Sequence, residues 1–169
     1  MSMEAYQSLI DRICARCDIP NPELMYQVAN LNVNKTDFSL YYGGAIDPLS
    51  ALVYCDFGVL PTESREAILL RLLETNMYMF GVNSPSFTYN PDSGHILMMF
   101  RLQLQGATAD SALEAFAAIA DMAIEWRKGY FLEDEKTEKL AGAKRAGLKG
   151  TADRLAARLG GSSTGPGKN

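Results

Sequence analysis

The sequence predicts an α+β fold in which an antiparallel sheet carries its helices on one face. Segments with apolar residues at helical spacing alternate with shorter segments whose apolar residues recur at every second position. Short polar turns separate neighbouring strands, which is typical of antiparallel pairs. The predicted order is helix, three strands, helix, two strands and a final helix. This order, with its meander-like strands, is that of an α+β domain.

The first part of the chain predicts one helix and three strands. The helix is expected over Met3–Cys17, and the prolines that follow it disfavour its continuation. Its apolar positions recur at helical spacing: Tyr6, Leu9, Ile10 and Ile13. The first strand is predicted within Leu24–Val33. Alternating apolar residues predict the next two strands: Phe38, Leu40 and Tyr42, then Ala51, Val53, Cys55 and Phe57.

A central helix, predicted over Arg65–Met77, is apolar around nearly its whole circumference. Thr62 or Ser64 is expected to cap its start. A surface helix normally has one apolar face, so this helix needs a second packing partner beyond its own sheet. Because a second copy of the chain can supply that partner, we expect a homodimer. The expected dimer-interface residues are Ile68, Leu69, Leu72 and Leu73.

A β-hairpin follows, with strands predicted at Ser86–Asn90 and His95–Gln105 around a Pro- and Gly-containing turn. Alternate residues of its second strand form a core face: Ile96, Met98, Phe100, Leu102 and Leu104. Leu97 and Met99 then lie on the opposite face, which a one-sided sheet leaves uncovered. We therefore expect an extended partner segment to cross that face. The expected partner-binding residues come from the first helix and the hairpin: Tyr6, Leu9, Ile10, Ile13, Phe87, Tyr89, Leu97 and Met99.

The final helix is expected to begin at Thr108 or Asp110 and to reach about Leu132. The predicted α+β domain thus spans residues 1–132. After it the sequence contains few large apolar residues and several glycines, which weaken helices. It predicts a basic, partly helical extension over 133–159 and a disordered end over 160–169.

Charge is unevenly placed along the chain. Residues 1–132 contain 8 Lys and Arg against 15 Asp and Glu, a net charge of −7, whereas residues 133–169 contain 8 against 5, a net charge of +3. An acidic domain argues against nucleic acid as the main ligand. No apolar run approaches the roughly 20 residues that span a membrane, and the start resembles no secretory signal. We therefore expect a cytosolic protein without membrane insertion.

The residues that could support chemistry are few. Cys14 and Cys17 form a CxxC pair, but they close a helix, whereas redox pairs open one. A zinc site would require Cys55 and His95 to converge on that pair through the fold. His95 is the sole histidine and follows a turn, without a nucleophile motif nearby. We therefore expect no catalytic residue, no metal and no cofactor.

The stretch around the central helix and hairpin resembles a known family. LLETN at residues 72–76, then a glycine, an aromatic strand, a D-x-G turn and an alternating strand are similar to the class I type III secretion chaperones. These Tir-chaperone-like proteins are small acidic dimers that each escort one effector. The resemblance covers Ala5 to Tyr130 by order of elements. It implies a bacterial cytosolic chaperone that binds the N-terminal region of a secreted effector and keeps it soluble and competent for secretion.

Two other classes of function remain open at this point. One is a small enzyme that uses His95 or the cysteines, and the other is a scaffold protein of the same fold outside secretion. Mass spectrometry of the protein purified from its native cytosol distinguishes them. A stoichiometric bound protein favours the chaperone, whereas a bound metal or substrate turnover favours the enzyme. The basic extension exceeds the usual length of the family, so the resemblance implies nothing about it.

Overall fold

The computed structural model describes residues 2–81 and 84–132. Three helices, one short 3₁₀ helix and five strands make up this part of the chain. Their bounds, in chain order, are α1 (Ser2–Arg16), the 3₁₀ turn (Pro22–Met25), β1 (Ala29–Val33), β2 (Thr36–Tyr42), β3 (Ser50–Val59), α2 (Arg65–Met79), β4 (Ser86–Asn90), β5 (His95–Gln103) and α3 (Ala109–Gly129). The order predicted from the sequence is confirmed, as is the α+β class.

The five strands form one antiparallel sheet in the order β1-β2-β3-β5-β4. Strands β1 to β3 form a meander, and the hairpin β4-β5 joins it with β5 alongside β3. β5 therefore lies inside the sheet, whereas β1 and β4 are its two edges. The register places Met99 opposite Tyr54 and Leu97 opposite Asp56.

One hydrophobic core lies between the sheet and the helices. β5 alternates as predicted, with Ile96, Met98, Phe100 and Leu102 buried on the core side. α3 crosses the sheet, and its Phe116 ring stacks on Phe38 of β2 with centroids 5.1 Å apart. Strand alternation thus fixes which side of the sheet faces the helices and which side stays outside.

A bulge in β3 gives this strand its shape. The pairing of β3 with β5 shifts between Asp56 and Gly58, and Gly58 has a φ of 116°, which an L side chain rarely adopts. β3 continues past this glycine to Val59. A bulge keeps the strand in the sheet while it inserts one extra residue, so a glycine does not need to end it.

The helix caps differ in how well they were predicted. Thr108 caps α3, because its hydroxyl accepts from the Ser111 N–H at 3.1 Å and the Ser111 hydroxyl accepts from the Thr108 N–H. Ser64 lies at the N-cap of α2, but its side chain makes no capping hydrogen bond. Its φ of 56° is left-handed, whereas a capping Ser requires extended backbone.

The remaining sequence predictions about the chain's end fall on residues that the structure does not describe. The partly helical extension at 133–159 and the disordered end at 160–169 both lie outside the described residues. No helix in the described part of the chain is both long and apolar enough to cross a membrane.

Candidate surfaces for partner binding

The face of the sheet away from the helices carries a contiguous set of apolar side chains. They alternate with the core residues on β2, β3 and β5, and all are partly or well exposed. We call them the outer strip: Tyr41, Leu52, Tyr54, Leu97 and Met99. Pairing brings them together, since Tyr41 lies opposite Leu52, and Tyr54 lies opposite Met99. The rings of Tyr41 and Tyr54 meet edge to face with centroids 5.5 Å apart.

One end of the outer strip is acidic. An open depression of about 510 Å³ lies there, lined by Asp37, Ser39, Tyr41, Leu52, Tyr54, Asp56, Asn90 and Leu97. The Asp37 carboxylate accepts from the Asn32 side chain at 2.6 Å. The Asp56 carboxylate accepts from the Gly58 N–H at 2.8 Å and lies 2.8 Å from Nδ1 of His95. This end thus joins two carboxylates to apolar and aromatic surface.

The other end of the outer strip is bounded by a basic side chain. Nε of Arg101 lies 3.7 Å from the Asp47 carboxylate in the β2-β3 loop. A second open depression of about 420 Å³ reaches from here toward the segment before β4, lined by Ile46, Leu52, Val53, Tyr54, Gly81, Ser84, Ser86, Met99, Phe100 and Arg101. The outer strip therefore has a polarity, with carboxylates at one end and a guanidinium at the other.

Helix α2 exposes a second apolar surface. The buried residues of this helix face the core of the chain: Ile68, Leu72, Thr75 and Met79. On the opposite side of the helix Leu70, Leu73 and Met77 follow one another at spacings of three and four residues and are 58%, 65% and 66% exposed. We call these three residues the α2 stripe. Phe80, just after the helix, is 92% exposed and extends the same side.

The two edges of the sheet differ in their cover. At β4, the Asn76 side chain of α2 accepts from the Phe87 N–H at 2.7 Å and donates to the Phe87 carbonyl at 3.1 Å. Asn76 thereby takes the place of a neighbouring strand at that residue. β1 pairs with β2 on one side, and no other described strand lies on its outer side. Among the described residues β1 is thus the edge open to another strand.

The structure separates the predicted partner-binding residues into two groups. Tyr6, Leu9, Ile10 and Ile13 are at most 1% exposed, because α1 packs them against the sheet and α3. This placement differs from the predicted surface: the four side chains are core residues of one subunit. Helical spacing predicts only that these side chains are buried, either in the protein's own core or against a partner. The position of α3 shows that they are buried in the protein's own core.

The hairpin residues are also divided. Phe87 is buried against Phe57, with ring centroids 4.9 Å apart, so it too belongs to the core. Tyr89 is half-buried under Arg65, whose guanidinium lies 4.8 Å from the ring centroid. Leu97 and Met99 are half-buried on the outer face, on the side where they were predicted. Their accessible neighbours Tyr41, Leu52 and Tyr54 were missed, although the same alternation in the second and third strands would have placed them on the outer face.

The predicted dimer-interface residues follow the same pattern. Ile68 and Leu72 are buried in the subunit's own core, Leu69 is partly buried, and Leu73 is exposed. The sequence therefore identifies the helix that has a free apolar face. The residues on that face, however, are those of the α2 stripe, and only Leu73 is among the predicted four. Because α2 is apolar on both sides, its sequence does not reveal which side turns inward.

The Cys14–Cys17 pair, Cys55 and His95 lie on three different elements of the fold. Cys14 and Cys17 close α1, Cys55 lies within β3, and His95 begins β5. Burial raises the pKa of the Cys14 thiol and of the Cys55 thiol, which lowers the fraction of reactive thiolate. Across residues 2–81 and 84–132, His, Cys, Asp and Glu side chains form no cluster of three or more that could hold a metal ion.

Comparison with known proteins assigns a family to this arrangement. The model of the Tir chaperone protein (CesT) family matches residues 9–127, which include every strand of the sheet, about half of α1 and most of α3. No curated protein matches the chain. The matched range ends two residues before α3 does, so it leaves out the basic extension.

Proposed function

Since the chain belongs to the Tir chaperone protein (CesT) family, a class I type III secretion chaperone family, we propose that it binds the N-terminal region of one secreted effector. Binding keeps that region unfolded, soluble and competent for secretion. The protein acts by binding alone, without a catalytic step. It does so in the bacterial cytosol, where the effector is made before its export.

The observation that carries this proposal is the outer strip. An antiparallel sheet with helices on one face normally presents polar residues on the other. Here Leu97, Met99 and Leu52 join two tyrosines there, and no described segment of the subunit covers them. Met99 adds an adaptable side chain that can pack against varied apolar groups. Such a surface suits apolar side chains of an unfolded segment that recur at every second position.

The open edge of the sheet offers the same segment a second mode of contact. Asn76 satisfies the backbone of β4 at Phe87, so a strand adding to the sheet finds fewer free groups there. β1 has no such cover from another described strand. An effector segment that crosses the outer strip can therefore continue as an added strand beside β1, where backbone hydrogen bonds provide affinity without depending on its sequence.

The protein is further proposed to work as a homodimer through the α2 stripe. Leu70, Leu73 and Met77 are large apolar side chains in a row on one helix, and a two-fold axis would bury each of them twice. A dimer presents two outer strips, so one effector segment can contact both. Two linked contacts bind more tightly than either alone, which compensates for the entropy cost of ordering an unfolded chain.

The test of this function begins with the identity of the partner. The tagged full chain is purified from its native cells, and the protein that copurifies at stoichiometric amounts is identified by mass spectrometry. Its N-terminal fragment is then titrated against the chaperone carrying Leu97→Asp and Met99→Asp. Two carboxylates on the outer strip would face apolar side chains of the fragment, so we expect at least a hundredfold loss of affinity, about 3 kcal/mol.

The matched control carries Met3→Asp and Leu24→Asp. These two apolar side chains are also exposed, at 44% and 77%, but lie on α1 and the 3₁₀ turn, away from the outer strip. The control should bind the fragment with unchanged affinity, and both double variants should keep the circular dichroism spectrum of the parent protein. Equal affinity of the outer-strip variant and the control for the fragment would refute the proposed surface.

A further inference from the structure

The acidic end of the outer strip has the composition of a site for Lys or Arg side chains. Asp37 and Asp56 supply carboxylates, Tyr41 and Tyr54 supply aromatic rings, and Leu97 supplies apolar surface for an aliphatic stem. A cation near a carboxylate and over a tyrosine face is stabilised by both, while the methylene groups of Lys and Arg pack on apolar surface. The depression of about 510 Å³ is large enough to receive more than one such side chain.

The described part of the chain supplies no Lys or Arg to this depression. Within residues 2–81 and 84–132, neither Asp37 nor Asp56 forms an ion pair with a Lys or Arg side chain. The groups that contact the two carboxylates are an asparagine side chain, a backbone N–H and the His95 ring. The negative charge at this end is thus available to a cation from outside the described part of the chain.

The same chain contains a segment of matching chemistry. Residues 139–158 hold six Lys and Arg against one Asp, a net charge of +5, while residues 1–132 have a net charge of −7. Leucines lie between the basic residues of this segment, at Leu140, Leu148 and Leu155. A basic segment with interspersed leucines complements a surface of carboxylates, tyrosines and Leu97 in both charge and apolar character.

The end of α3 lies at the same end of the sheet as the depression but on the helix-covered face, so the segment reaches the outer face around this end of the sheet. Arg127, in the last turn of α3, donates from Nη2 to the Asp56 carbonyl at 2.8 Å and from Nη1 to the Thr36 hydroxyl at 3.3 Å. Asp56 lines the acidic end, and Thr36 directly precedes Asp37, which also lines it. The described chain stops five residues after Arg127, at Leu132, and continues in sequence for 37 residues. A tethered segment reaches a nearby site at an effective concentration of about a millimolar.

We propose that residues 139–158 dock on the acidic end of the outer strip of their own subunit when no effector is bound. Lys and Arg side chains of the segment pair with Asp37 and Asp56 and cover Tyr41, Tyr54 and Leu97. Docking itself does not depend on the proposed function. The consequence of docking rests on the proposed function. An effector segment that crosses Leu97 must displace the extension, so the extension competes with the effector within the same chain. This competition selects against polypeptides that bind the outer strip weakly.

Zero-length crosslinking of the full chain, without any effector, tests this docking. A carbodiimide couples a carboxylate to a lysine amine only where the two are in contact. An equal mixture of ¹⁴N- and ¹⁵N-labelled protein separates links within one chain from links between copies. We expect Asp37 to link to Lys139, Lys144 or Lys149 within one chain, roughly tenfold more often than the exposed Asp18, which follows α1 away from the depression. About 1 M salt should remove this preference by screening.

The other outcomes overturn the inference. Links spread evenly over Asp37, Asp18 and Asp110 would mean that the extension has no preferred site. Links at Asp37 that mix the two isotopes would assign the site to the extension of a second copy. An absence of links between Asp37 and the three lysines would exclude contact. Because no effector is present, each of these results leaves the proposed effector surface, tested at Leu97 and Met99, to stand or fall separately.

Discussion

Arg127 is the side chain that joins the end of α3 to the irregular part of the sheet. Its guanidinium donates to the carbonyls of Phe57 and Asp56, at 2.9 and 2.8 Å, and to the Thr36 hydroxyl. The bulge at Gly58 interrupts the regular pairing of β3, so these carbonyls depend on a donor from outside the sheet. A planar fork of donors fits several acceptors at fixed geometry, which a lysine ammonium does not.

Replacement of Arg127 by Ala should therefore lower the free energy of unfolding by about 1–3 kcal/mol, since it removes charge-assisted hydrogen bonds and leaves their acceptors without a donor. Urea denaturation followed by circular dichroism at one fixed protein concentration measures this loss. Lys128→Ala is the matched control, because Lys128 pairs with an exposed glutamate and such pairs contribute little. An Arg127→Ala variant as stable as the control would contradict the role assigned to the guanidinium.

Tyr6 makes the stability of the protein fall as pH rises through the alkaline range. Its buried hydroxyl donates to the Leu40 carbonyl at 3.0 Å, and burial raises the pKa of Tyr6 to about 12, against about 10 in an unfolded chain. Above pH 10 the unfolded chain releases this proton more readily than the folded protein. The stabilisation is therefore complete below about pH 10 and is lost as pH rises toward 12.

Denaturation curves of the parent protein and of Tyr6→Phe should converge at high pH. At about pH 8 the Phe variant should be less stable by about 1 kcal/mol, because it lacks the hydrogen bond to Leu40. The difference should shrink between about pH 10 and 11. In this range the unfolded parent chain loses the Tyr6 proton while the folded protein keeps it, which lowers the free energy of unfolding of the parent protein. A stability difference that stays constant over this range would show that Tyr6 does not titrate differently in the two states.

At the scale of elements, α2 closes one edge of the sheet with a single side chain. Asn76 donates to and accepts from the backbone of Phe87, as a neighbouring strand would. Asn76→Ala should expose that backbone and speed amide hydrogen exchange at Phe87, by about tenfold if one hydrogen bond of about 1.4 kcal/mol is lost. The amide of Met98, which lies opposite in the ladder with β5, serves as the internal control and should exchange at an unchanged rate.

The elements also show what the sequence can predict and why the rest depends on tertiary contacts. The two faces of β5 were assigned correctly, although the strand ends at Gln103 and not at Gln105. A strand has two faces, and the longer apolar row, from Ile96 to Leu102, must face the core. α1 shows the limit. The spacing of Tyr6, Leu9, Ile10 and Ile13 reveals an apolar face, but only the position of α3 shows that the subunit itself covers that face.

The outer strip shows the same limit at the candidate site. Leu97 and Met99 were found because they interrupt the alternation of one strand. Tyr41, Leu52 and Tyr54 lie on two other strands, and they join Leu97 and Met99 only through the register of β2 with β3 and of β3 with β5. Asp37 and Asp56 meet at one end through the same register. Sequence spacing within a strand does not encode register between strands, so the site as a whole was not predictable.

At the scale of the whole molecule, the proposed homodimer depends on the α2 stripe. Burying the exposed parts of Leu70, Leu73 and Met77 is worth about 1–2 kcal/mol for each side chain. Association costs roughly 4–15 kcal/mol in lost freedom of motion. The summed burial free energy of the six side chains in a two-fold interface is thus comparable to this cost. Loss of one of these contacts should therefore shift the association equilibrium measurably.

Leu73→Glu should therefore convert the proposed dimer to monomer. The change removes the apolar contact of Leu73 in both subunits and buries two carboxylates without partners, which should weaken association by at least about thirtyfold. Sedimentation velocity over a range of protein concentrations measures the dissociation constant. Ala67→Glu is the matched control, since it adds the same charge at an exposed position of α2 that lies off the stripe, and it should remain dimeric. A parent protein that is monomeric at high micromolar concentration would exclude the dimer, and equal dissociation constants for the two variants would exclude this face of α2 as its interface.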